Sequence, residues 1–215
     1  MKDDELRQHI IDELDFEPSI DAANIGVAVD EGIVTLTGHV TSFAEKTAAE
    51  SAAQRVKGVR GIAQEIEVRF PDAKKTGDDQ IAKRAVDVLA WNTTVPEGAI
   101  QVKVQKGWVT LSGKVNWQFQ RISAMNAIRK LSGVIGVTSL IEVTPKVQAA
   151  DIKSSIEKAL KRSAEVEVNG IQIQVEGSKV VLNGRIHSWY ERNAAERAAW
   201  SVPGVISVSD NLAIG

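Results

Sequence analysis

Gly32-Ile33-Val34-Thr35-Leu36-Thr37-Gly38 reads as a glycine-bounded strand, and it returns twice, as Gly107-Trp108-Val109-Thr110-Leu111-Ser112-Gly113 and as Ser178-Lys179-Val180-Val181-Leu182-Asn183-Gly184. Twenty residues beyond each closing glycine stands another glycine: Gly58, Gly133 and Gly204. Upstream, Ile25-x-Val27-x-Val29, Ile100-x-Val102-x-Val104 and Ile171-x-Ile173-x-Val175 keep one distance from the strand. Further back, Leu6, Ile10 and Leu14 match Ile81, Ala85 and Leu89, then Ile152, Ile156 and Leu160. Offsets of 75 and 71 residues carry every landmark without an internal gap. Self-similarity at a fixed period means one structural unit built repeatedly.

Each unit reads from its periodicities. Leu6, Ile10 and Leu14 recur every four residues and predict the buried stripe of a helix that Pro18 limits. Alternating Ile25, Val27 and Val29, a Glu31-Gly32 turn, and Val34 with Leu36 predict a β-hairpin. The third copy turns at Glu176-Gly177-Ser178, where the glycine moves by one place, so a different turn type is open there. Ala48, Ala49, Ala52, Ala53 and Val56 predict a second helix packed closely on the sheet. Its counterparts are Ser123, Ala124, Ala127, Ile128 and Leu131, then Ala194, Ala195, Ala198, Ala199 and Val202. Gly58, Gly133 and Gly204 are expected as left-handed helix caps before a last strand such as Ile62–Val68. The fold class is α+β: three tandem αββαβ modules at 2–70, 77–143 and 148–214, joined by linkers 71–76 and 144–147.

These landmarks resemble the BON family, named for bacterial OsmY and nodulation proteins, whose loose pattern is G-x-V-x-L-x-G, an alanine-rich helix, then G-V and a final strand. All three copies match it over nearly the whole chain. The resemblance implies two helices on one face of a three-stranded mixed sheet in each module. It also implies non-enzymatic roles in envelope maintenance, osmotic stress or transport-associated binding, often at phospholipid surfaces. Proteins of this kind are frequently exported. The sequence opens Met1-Lys2-Asp3-Asp4-Glu5, without the basic and apolar regions of a signal peptide, so it is expected to be cytoplasmic as it stands, or periplasmic if a leader has been removed.

Composition narrows the function classes. The chain has 215 residues, 43% hydrophobic and 25% charged, which suits folded domains and argues against disorder. Cysteine is absent, which excludes disulfides, thiolate zinc sites and a thiol nucleophile. The net charge of −2 gives no field that would mark a nucleic-acid binder, and none is expected as a partner. Beneath that average, module one is net −7, module two +3 and module three neutral. Modules of different sign can face different partners, or each other.

No catalytic or metal constellation emerges, and no cofactor is expected. His9, His39 and His187 occupy unrelated positions within the module, and no H-x-x-x-H spacing occurs. The glycines stand at turns and outside any phosphate-cradling run. Sister modules supply an internal control, because a shared core cannot explain an apolar side chain that one copy alone carries. Ile122 aligns with Thr47 and Asn193, Met125 with Glu50 and Glu196, Trp117 with Ser42 and Ser188, and Trp108 with Ile33 and Lys179. Around them in sequence lie Lys103, Lys106, Lys114 and Arg121. Basic and aromatic side chains together are what anionic membrane surfaces attract. Module three adds Trp189, Tyr190 and Trp200, and a first helix with Lys153, Lys158, Lys161 and Arg162 beside an apolar face. These residues either meet a lipid or protein partner or pack between modules. The second reading would make the chain a structural or self-associating scaffold.

Overall fold

The computed structural model describes residues 2–71, 76–144, 151–162 and 170–214. Module one runs α1 (Asp3–Phe16), β1 (Ile25–Asp30), β2 (Ile33–Val40), α2 (Phe43–Arg55), β3 (Gly61–Val68). Module two repeats this as α3 (Asp78–Ala90), β4 (Ile100–Gln105), β5 (Trp108–Val115), α4 (Gln118–Arg129), β6 (Gly136–Val143). Module three follows with α5 (Ile152–Arg162), β7 (Ile171–Glu176), β8 (Lys179–Ile186), α6 (Trp189–Trp200), β9 (Ser207–Ile214). Most of both linkers and the start of module three at 148 lie outside the described residues. Contacts divide the chain into two compact units, Met1–Val115 with Phe119–Glu142, and Asn116–Gln118 with Val143–Gly215.

Each module closes its own three-stranded sheet, ordered β1-β2-β3, β4-β5-β6 and β7-β8-β9. The central strand pairs antiparallel with the strand before it; in modules one and three the last strand runs parallel to it. The parallel pair needs a crossover, and the alanine-rich helix supplies it. Period-two alternation decides which side chains meet the helices: Val34, Leu36 and Val40 are buried, as are Val109, Leu111 and Val115, and Val180, Leu182 and Ile186. They meet the stripes Leu6-Ile10-Leu14, Ile81-Ala85-Leu89 and Ile152-Ile156-Leu160, all buried. Ala49, Ala52 and Ala53 vanish against the sheet in module one, Ala194, Ala195 and Ala199 in module three. Methyl side chains let a helix axis approach the strands closely. Among the described residues, the opposite face of each sheet has no helix of its own module over it.

The turns explain the sequence differences between copies. Glu31 and Gly32 take φ of +46° and +77°, Lys106 and Gly107 +51° and +77°, the two left-handed residues of a type I′ hairpin turn. In the third copy Gly177, at +59°, comes first and Ser178 is not left-handed, the pattern of type II′. One further contact accompanies type I′. The Asp3 carboxylate accepts the amides of Glu31 (2.9 Å) and Gly32 (3.1 Å), and Asp78 accepts those of Lys106 (2.7 Å) and Gly107 (2.8 Å). Module three has Ala149 at this column, outside the described residues.

The expected glycine helix caps are corrected. Helix α2 ends at Arg55, and Val56 is its cap in extended conformation. Gly58 (φ +101°) is the third residue of a separate turn, Val56 to Val59, closed by the Val59 amide donating to Val56 O. Gly133 and Gly204 do the same in Leu131–Val134 and Val202–Val205. A left-handed third residue defines type II, and Pro203 stands at the second position, where its fixed φ suits that turn. The strand glycines have another cause: a Cβ on Gly38, Gly113 or Gly184 would fall on the carbonyl oxygen of Asn24, Ala99 or Gly170.

Candidate functional site

The side chains singled out in module two separate onto opposite sides of it. Trp108 opens β5 and alternates with buried Val109, so it projects from the open face of the sheet, where 49% of it is exposed. Its indole lies over Gly136, where a Cβ would come within 2.6 Å of Cε3 and Cζ3, and its Nε1–H donates to Thr138 Oγ1 at 2.8 Å. Lys114 shares this face and pairs with Glu142 at 3.4 Å, both exposed. Lys106 sits in the hairpin turn beside Trp108 and lines a shallow pocket of about 250 Å³ with Lys103, Gln105, Trp108 and Thr110.

The remaining residues belong to the helical side. On α4, Ala124 and Ile128 face the sheet and are buried, while Ile122 turns away and is exposed, and Arg121 and Met125 are half-buried. Trp117 is half-buried just before α4. It stands at the column where Ser42 and Ser188 cap the second helix, accepting the Glu45 and Glu191 amides at 3.1 and 3.2 Å. Those glutamates are themselves buried: Glu45 accepts the amides of Asp21 and Thr41, Glu191 that of His187. Module two carries Gln120 there.

In module three, Trp189 is half-buried beneath the Arg192 guanidinium, 5.1 Å from the ring centre, and Arg192 is fixed by Asp210 at 2.6 Å. Tyr190 is exposed, whereas Trp200 packs on the module core and its Nε1–H donates to Glu196 at 3.3 Å. On α5, Ile152, Ile156 and Leu160 are buried, which leaves the basic residues on its outer side.

The two most exposed large apolar groups among the described residues were not among the sequence candidates. Trp91 is 87% exposed at the end of α3, and Phe16 is 83% exposed at the same column of α1. Val86 on α3 and Phe119 on α4 are also exposed. Asn92 Nδ2 donates to Ser123 Oγ at 3.0 Å and Thr94 Oγ1 lies 2.6 Å from it, which holds the end of α3 beside the first half of α4. Phe119 and Ile122 lie on α4 and Trp91 just beyond α3, all on the helical side of the module. A signal for it existed in the sequence, since Trp91 lies two residues beyond Leu89 and so off the buried stripe. Among the described residues no cluster of His, Cys, Asp or Glu could hold a metal ion, and no helix is long and apolar enough to cross a membrane.

Comparison with known proteins bears on the whole chain. The family model described as "BON domain" matches residues 2–69, 77–145 and 148–215. Osmotically-inducible protein Y of Escherichia coli (strain K12) is 31% identical over 125 residues, 55% of this chain. The match spans 61% of that relative's length. Two solved structures of CdsD, a structural protein of the type III secretion system of Chlamydia trachomatis, align over 98% and 100% of the chain and 92% and 100% of their own. Identity is 12% and 13% and the TM-score 0.27 in both, a superposition too loose to bear on this chain.

Proposed function

The chain belongs to the BON domain family, and on that premise we propose that it is a non-catalytic binding protein of the osmotic-stress type that associates with an anionic phospholipid surface through the helical layer of module two. The observation that carries this reading is the exposure of Trp91, at 87%, together with that of Phe119 and Ile122, on the helical layer of the module whose net charge is +3. Single exposed apolar residues are ordinary on protein surfaces. Three large ones on the helical layer of one basic module are not, because an indole and a few cations are the combination that the interface of an acidic bilayer stabilises. The exposed Lys83 and Arg84 lie on the same helix. Similarity to an osmotically inducible relative supports the stress context. For a chain kept in the cytoplasm, the surface on offer is the anionic inner leaflet.

Flotation with vesicles of phosphatidylglycerol and phosphatidylcholine tests this. The full chain should float at low salt and less as salt screens the attraction. The exposed double substitution Trp91→Ser with Ile122→Asn, the latter being what module three carries at that column, should abolish flotation without unfolding the module. A chain that stays unbound at low salt would turn the assignment toward a protein partner or a self-associating scaffold.

A further inference from the structure

The open face of module two's sheet carries an assembly that the helical layer does not explain. We propose that it binds an acidic saccharide, with the Trp108 ring as the stacking platform and Lys103 and Lys106 as contacts for the ligand's carboxylates. The indole is held before any ligand arrives: Gly136 leaves room for the ring to lie on β6, and Thr138 takes its N–H. A preorganised ring loses little freedom on binding. Around it the lining is polar and able both to donate and to accept, from Gln105 and Thr110, with the two lysines and no carboxylate in the pocket. A sugar ring matches this arrangement, with a C–H face for the indole and hydroxyls at its rim.

The sister modules serve as controls. The five lining positions read Ala28, Asp30, Glu31, Ile33 and Thr35 in module one, and Gln174, Glu176, Gly177, Lys179 and Val181 in module three. Over these five positions module one thus carries two negative charges, at the columns of Gln105 and Lys106, against two positive ones in module two, and module three balances one of each. The backbone does not require that inversion, since the type I′ turn is the same in modules one and two. Other anionic partners fit less well. Among the described residues of this face only Trp108 and Leu140 are exposed large apolar groups, too few to enter a bilayer. A nucleic-acid strand needs a basic groove that tracks successive phosphates and more than one stacking ring.

Calorimetric titration of the full chain with trigalacturonic acid at low salt tests the site. Trigalacturonate should bind and neutral maltotriose should bind far more weakly. Trp108→Ile, which restores what module one carries over Gly61, should weaken binding about tenfold while the fold persists. Lys103→Gln with Lys106→Asn, chosen because asparagine tolerates the left-handed turn position, should weaken it and flatten its salt dependence. The site lies on the opposite side of the module from Trp91 and Ile122, so vesicle flotation should survive Trp108→Ile. No binding of trigalacturonate, binding unchanged by Trp108→Ile, or equal binding of maltotriose would overturn the proposal. So would loss of flotation in Trp108→Ile, which would assign the ring to a lipid surface.

Discussion

Asp3 and Asp78 show how much one carboxylate at a helix start can organise. Each opens the first helix of its module, where a negative charge suits the helix dipole, and each reaches across to the hairpin to accept two turn amides. Hydrogen bonds to an ionised acceptor are the stronger kind. Asp78→Ala should therefore lower the unfolding free energy of module two by about 1.5–3 kcal/mol, read by chemical denaturation, with faster hydrogen exchange at the Lys106 and Gly107 amides. Unchanged exchange there would show that the turn holds itself. Glu17 offers a titration at the same scale. The Ser19 hydroxyl (2.9 Å), and after it Arg55 (3.1 Å), hold its carboxyl below the usual carboxylate range against the opposing pull of partial burial. A pKa lowered on folding contributes stability that is complete above the unfolded-state value and is lost as the pH falls through the folded one. Ser19→Ala should raise the Glu17 midpoint in a carbon-13 NMR titration more than Arg55→Ala does. The reverse order would make the ion pair the main cause.

At the scale of elements, the second helices of modules one and three start from the same box, with Ser42 and Glu45 or Ser188 and Glu191 each satisfying backbone donors that the helix leaves open. Ser42→Ala should cost about 1 kcal/mol. Glu45→Ala should cost more, because it strands the amides of both Asp21 and Thr41, and equal losses in thermal or urea unfolding would argue against that link between helix and loop. Helices, hairpins and the buried stripes were legible in the sequence because burial imposes periods of two and of about four directly on residue type. The Asp3 and Asp78 contacts were not, since they join residues 28 or 29 positions apart and leave no local pattern. The glycine turns after the second helix were half legible: a left-handed residue was required, but a helix cap and a type II turn ask for the same glycine. Comparison between modules found Trp117 and Ile122 because only one copy is apolar there, and Trp108 because only one copy is aromatic there. The same comparison is blind at the column of Phe16 and Trp91, and at that of Phe119 and Tyr190, where two copies agree.

At the scale of the whole molecule, each sheet takes its three strands from one stretch of about 70 residues, and among the described residues no strand crosses from one module to another. A unit that short buries a modest share of its surface, so its stability is a few kcal/mol and rests on a small set of side chains. Leu182 is one of them, fully buried at the centre of β8. Leu182→Ala should remove about 2–5 kcal/mol, comparable with everything that holds a module of this size. In a two-dimensional amide NMR spectrum the signals of module three should then collapse toward unfolded positions while those of Met1–Val115 and Phe119–Glu142, which form the other compact unit, stay dispersed. Loss of dispersion throughout the chain would mean that the modules fold as one cooperative body. In that case the acidic first module would contribute to the stability of its partners, and a surface residue could affect binding from a module it does not belong to.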